Sequence, residues 1–146
     1  MSIFRAYTQF NINNVNFNWY YANYSRGDVY KNQNVIYNGT SYVDLIWING
    51  VSGYSNFELD YVGSGIKFNI VNGSKVITAG TINAFREWNV SSNTVSYIIE
   101  GVSIDAALFY NAAQTASNAD ELSLIERALL GNDNFYGSTY SDVMNG

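Results

Sequence analysis

Apolar and polar residues alternate with a period of two through most of the chain ahead of Gly101, and a helical period appears only after it. Successive side chains of a strand point to opposite faces. Phe57, Leu59 and Tyr61 set against Asn56, Glu58 and Asp60 therefore predict a half-solvated strand that carries both acids on one face. By the same pattern residues 35–38, 41–48, 56–62, 66–71, 75–89 and 94–100 read as strands rich in β-branched and aromatic side chains, with a break near Gly80. Asn38-Gly39, Asn49-Gly50 and Asn72-Gly73 predict tight hairpin turns, because both residues tolerate the positive φ that such turns require. Gly63-Ser64-Gly65 lacks a third glycine and runs into a strand pattern, so it reads as a turn or bulge, not a phosphate loop. Ile12, Val15, Phe17 and Trp19, with asparagines between them, read as a strand or an extended cover.

After Gly101 the spacing of Ile104, Ala107, Leu108, Ala112 and Ala113 predicts a helix with Ser103 as its cap. Asn118 followed by Glu121 has the spacing of a capping box, and Leu122, Ile125 and Leu129 form the apolar stripe of a second helix that Gly131 ends. A helix pair on one face of an antiparallel sheet defines an α+β chain, mainly β.

The final segment, residues 131–146, follows neither period. Asp133 and Asp142 stand nine apart, each followed two places on by a large apolar residue, Phe135 and Met144, with Gly131, Gly137 and Gly146 between the units. This spacing fits the calcium-binding nonapeptide of a parallel β-roll. Its glycines allow the tight turns, and its aspartate offers the hard, charged oxygen that calcium takes alongside roughly five to seven others at about 2.3–2.6 Å. One coil of such a roll takes two nonapeptides, so consecutive aspartates fall on opposite edges. Gly131, Asn132, Asp133 and Asp142 are accordingly expected to form incomplete calcium half-sites, and the fold to end in the first turn of a parallel β-roll.

Gly131-Asn132-Asp133 and residues 137–145 resemble the opening of a repeats-in-toxin (RTX) array, the hemolysin-type calcium-binding repeat of secreted bacterial proteins. Ser138 and Tyr140 replace glycines of that pattern, as in a degenerate first turn. Residues 101–114 and the leucine-rich stretch ending at Leu130 resemble the helical lead-in to such arrays, and residues 56–88 are similar to the β domain that often precedes them. The resemblance divides the chain into an antiparallel β domain (1–102), a helix pair packed on it (103–130) and the start of the array (131–146). It implies a protein secreted to the bacterial cell surface or medium by type I secretion machinery, which reads a C-terminal signal expected beyond Gly146. It also implies that calcium binds only when further repeats follow.

Composition narrows the chemistry. Cysteine and histidine are both absent, which removes disulfides, thiolate nucleophiles, the usual zinc ligands and the common neutral-pH general base. A net charge of −5 with seven Lys plus Arg excludes a nucleic-acid phosphate footprint. The N-terminus has no basic segment followed by an apolar run, and no stretch is long and apolar enough for a transmembrane segment. Lys31, Lys67 and Lys75 all lie in polar or turn-like contexts, so a lysine-activated serine nucleophile has no support.

Thirteen Tyr, eight Phe and three Trp are the second unusual feature. Trp19, with Tyr42, Trp47 and Tyr54, offers flat faces on which a sugar can stack, and Glu58 with Asp60 could accept its hydroxyls. The same rings fill small β cores, and paired strand acids are commonly solvated. Glu87, beside Arg86 and Trp88, reads as a surface strand end. Three functions follow. The first is a non-enzymatic N-terminal module of a secreted RTX-like calcium-binding protein, acting in extracellular or cell-surface adhesion. The second is a carbohydrate-binding or carbohydrate-active domain built on Trp19, Trp47, Glu58 and Asp60, with a glycan as partner. A haemophore-like carrier with a tyrosine ligand is the third.

Overall fold

The computed structural model describes residues 1–53 and 55–144; Tyr54, of the aromatic set, and residues 145–146, of the last repeat, lie outside the described residues. Among the described residues nine strands form: β1 (Ile3–Ala6), β2 (Tyr24–Tyr30), β3 (Val35–Tyr37), β4 (Thr40–Tyr42), β5 (Asp44–Ser52), β6 (Ser55–Val71), β7 (Ser74–Asn89), β8 (Thr94–Asp105) and β9 (Asn134–Tyr136). Seven of them make one sheet in the order β2-β5-β6-β7-β8-β1-β9, antiparallel except for the last pair, while β3 and β4 form a separate hairpin. The helices are α1 (Asn18–Ala22), α2 (Ala106–Ala112) and α3 (Ala119–Ala128), with a short 3-10 turn at Ile12–Asn14. Among the described residues no helix is long and apolar enough to cross a membrane.

Two of the three Asn-Gly pairs close hairpins. Asn38 (φ 44°) with Gly39 (φ 87°) joins β3 to β4, and Asn72 (φ 51°) with Gly73 (φ 80°) joins β6 to β7. Asn49-Gly50, predicted to turn, instead lies within β5, for a reason given by the site below. The stretches read as two strands, 56–62 and 66–71, are one long strand with register shifts at Gly63–Lys67, and no break divides β7 at Gly80. Buried Asp44 secures that irregularity by accepting from Lys31 Nζ (2.6 Å) and the Ile66 N–H (2.9 Å).

Strand alternation gives the sheet two different faces. One cross-strand row runs Val29, Ile46, Tyr61, Phe85, Ile99, Phe4, and all six belong to the main core beneath α2 and α3. Phe17 and Phe109 meet there edge to face at 5.2 Å, a contact geometry that aromatic quadrupoles favour. The opposite face carries Leu45, Val62, Ala84 and Glu100, and the β3–β4 hairpin covers it with Tyr37 and Tyr42.

The helix pair forms as expected, but its caps differ. β8 extends to Asp105, because Ile104 pairs with Ile82, so Ser103 lies in the strand and Asp105 accepts the Ala107 and Leu108 N–H groups. Asn118 makes no cap bond; its side chain reaches Val15 O and the Phe17 N–H instead.

In place of the expected first turn of a parallel β-roll, the tail among the described residues joins the main sheet. β9 pairs parallel with β1, Ile3 opposite Asn134 and Phe4 opposite Phe135, and a second parallel bridge joins Asn11 to Val143. Backbone hydrogen bonds hold both contacts: Asn134 N–H donates to Ser2 O at 3.0 Å, and Val143 N–H to Phe10 O at 2.8 Å.

Candidate functional site

The N-terminal segment, read from the sequence as a strand or an extended cover, forms no strand between Ile12 and Trp19; it covers the sheet through the 3-10 turn and α1 and encloses one side of a cavity of about 680 Å³. Asn16 Oδ1 accepts the Trp19 N–H at 2.9 Å and starts α1, which presents Trp19 and Tyr20 to the sheet. Trp19 meets Tyr20 and Phe57 edge to face, at 5.0 and 5.6 Å between ring centroids. Its six-membered ring lies on the backbone of Gly50, where a Cβ would sit 2.5 Å from Cζ3. Gly50 is therefore a platform for an indole, not a turn residue.

Glu87 of β7 faces this cavity. It shares the side of the strand that carries Phe85, so alternation turns it toward the core side and not to open solvent. Tyr20 Oη donates to Glu87 Oε2 at 2.9 Å, and the side chains of Tyr97 and Ser96 also hydrogen-bond the carboxylate. Burial raises the Glu87 carboxyl above its ordinary range, while those hydrogen bonds pull it down. Burial and the nearby Glu87 charge push the Tyr20 and Tyr97 phenols far up, so both remain neutral donors. Thr8, Gln9, Asn11, Asn14 and Asn16 add amides and a hydroxyl to the rim, and Ser141 and Val143 of the tail complete it.

Of the four candidate ligand-binding residues Trp19, Trp47, Glu58 and Asp60, Trp19 alone lines this cavity. Trp47, Glu58 and Asp60 lie on the opposite face, in rows where Trp47 pairs with Asp60 and Asp60 with Arg86. Arg86 Nη2 stands 2.5 Å from Asp60 and 3.7 Å from Glu58, and its guanidinium covers the rings of Tyr37 and Trp88. Tyr37 Oη donates to Asp60 at 2.8 Å, and the Trp47 side chain hydrogen-bonds Glu58. Asp60 is 3% exposed, with Tyr37 of the β3–β4 hairpin bonded to it, while Glu58 is half-buried beside it.

Both tail aspartates hold backbone amides. Asp133 Oδ1 accepts the Ser2 N–H at 2.6 Å; Asp142 Oδ1 accepts the Phe10 N–H at 2.8 Å and its Oδ2 the Ser138 N–H at 2.6 Å. Gly131 and Asn132 lie exposed in the preceding turn. No protein-family model, curated protein or solved structure matches the chain.

Proposed function

We propose that this chain is a non-catalytic binding module whose cavity takes a saccharide. The observation that carries this reading is Glu87, held by Tyr20 in an open cavity that combines aromatic faces with an amide-rich rim. Ring faces can stack on the C–H side of a sugar, while asparagine and glutamine offer a donor and an acceptor to each hydroxyl. Glycoside hydrolysis uses two facing carboxylates, and Glu87 is the sole acid among the described residues of the cavity wall. Binding by wild type, Trp19→Ala and Trp47→Phe to a panel of oligosaccharides tests it by calorimetry. A sugar that binds wild type and Trp47→Phe alike, and Trp19→Ala more weakly by about 2 kcal/mol, supports the site. Silence across the panel removes it.

The tail supports a proposal about context, that the module belongs to an exported RTX-type protein. Its two Asp-x-apolar units make one contact twice, each aspartate taking an N-terminal segment's amide and the next residue pairing parallel with that segment. Calcium titrated into this chain and into one lengthened by several nonapeptides distinguishes the outcomes. Folding-coupled heat confined to the longer chain supports the array; equal heat, or none in either, rejects it.

A further inference from the structure

Six acids on the sheet strands are at least partly buried: Asp28, Asp44, Glu58, Asp60, Glu87 and Glu100. Five of them have a lysine or arginine within 3.7 Å, namely Lys75, Lys31, Arg86 for both Glu58 and Asp60, and Arg5. The sequence thus spends its few cations on the acids of the sheet. Glu87 is the exception among the described residues: its hydrogen-bond partners are the neutral hydroxyls of Tyr20, Tyr97 and Ser96, and no lysine or arginine lines its cavity. A carboxylate out of bulk water without a counter-ion gains from any cation that reaches it, more than an exposed one would. Around it stand the rings of Trp19, Tyr20, Phe57 and Tyr97, whose faces attract positive charge.

Resting on the saccharide reading above, we infer that the ligand of this cavity carries an ammonium group, as an amine-bearing sugar does, and that Glu87 is the group that recognises it. Among the described residues the cavity wall supplies one acid, several aromatic rings and no lysine or arginine, a set complementary to a cation and hostile to acidic sugars. Neutral N-acetylated sugars forfeit the carboxylate contact.

The test compares a tetramer of glucosamine with the same tetramer N-acetylated, by calorimetry and by Trp fluorescence, across buffers from mildly acidic to neutral so that the range includes conditions in which both the amine and the Glu87 carboxylate are charged. The amine form is expected to bind at least about tenfold tighter, with an affinity that falls as salt rises. Glu87→Gln keeps the shape and an acceptor for Tyr20, and is expected to erase both the preference and the salt dependence. Far-ultraviolet circular dichroism and the melting temperature confirm that this variant folds. Tetramethylammonium chloride separates the sources of the charge: competition by the small ion supports ammonium recognition at Glu87. Equal or tighter binding of the N-acetylated tetramer overturns the inference while leaving the saccharide site intact. Failure of every sugar on the panel overturns the site itself.

Discussion

Trp19 rests on Gly50 with no room for a single carbon between them: a Cβ at Gly50 would lie 2.5 Å from the indole Cζ3. Gly50 is buried in the middle of a strand, where glycine weakens the strand unless another group needs its surface. Gly50→Ala is expected to lift Trp19 out of its edge-to-face contacts with Tyr20 and Phe57, costing about 1–3 kcal/mol in stability. The variant should show an altered Trp emission maximum and weakened ligand binding. Unchanged emission with wild-type stability would mean that the ring does not need this platform.

The same residue shows where the sequence was legible and where it was not. Asn38-Gly39 and Asn72-Gly73 act locally, through their own φ angles, and both hairpins could be read directly. Asn49-Gly50 has the same letters, but its glycine answers to Trp19, a partner remote in sequence. The mainly β class and the helix pair were legible because they rest on periodicity. The N-terminal loop was not, since its path depends on Asn118 holding Val15 and Phe17 from the far end of the chain. Glu87 was read as a surface strand end, yet the alternation that puts Phe85 in the core puts Glu87 beside it, so an acid on an apolar face was the signal. Glu58 and Asp60 were located correctly on one face; what sequence could not supply was where the β3–β4 hairpin would lie and that Arg86 would stand between the two acids.

Asp142 and Phe10 join the tail to the wall of the cavity. The Phe10 amide donates to Asp142, while Val143, which with Ser141 lines the cavity, pairs with the backbone on either side of Asn11. Asp142→Asn is expected to raise hydrogen exchange at the Val143 and Ile12 amides and to weaken ligand binding severalfold. Hydrogen bonds from Phe10 and Ser138 outweigh burial and hold the Asp142 carboxyl below its ordinary range. Its contribution to docking is therefore present at neutral pH and lost only as pH falls through that lowered value. Exchange rates at Val143 that are the same in both proteins would detach the tail from the site.

Arg86 is the sole cation paired with Asp60 and Glu58 among the described residues. Replacing it by methionine leaves Asp60, 3% exposed, with the Tyr37 hydroxyl as its remaining partner. The expected cost is about 3–5 kcal/mol, read from urea unfolding. Arg86→Lys should recover part of that, since a lysine keeps the charge but cannot cover Tyr37 and Trp88 with a planar fork. A methionine variant as stable as wild type would show that this face tolerates its acids without a counter-charge.

Glu121 gives the fold a pH dependence that reaches neutrality. It sits in the first turn of α3, fully buried, with neither oxygen accepting a hydrogen bond from the described residues. Burial raises its carboxyl to about 7, helped by neighbouring Asp120, whose own carboxyl is lowered. Tyr61 of β6 is close enough for the Glu121 charge to push its phenol further up, so ionisation finds no compensating cation. Because the folded value lies above the ordinary 4.5, the folded chain holds the proton more tightly. Stability from this group is complete below about 4.5 and is lost as pH rises through about 7. Glu121→Gln can donate to Asp120 without ionising, and is expected to stabilise the protein by on the order of 1 kcal/mol at neutral pH. The urea midpoint of wild type should fall across that window while that of the variant stays nearly level. A wild-type midpoint that rises with pH there would show that Glu121 ionises without penalty in the folded protein.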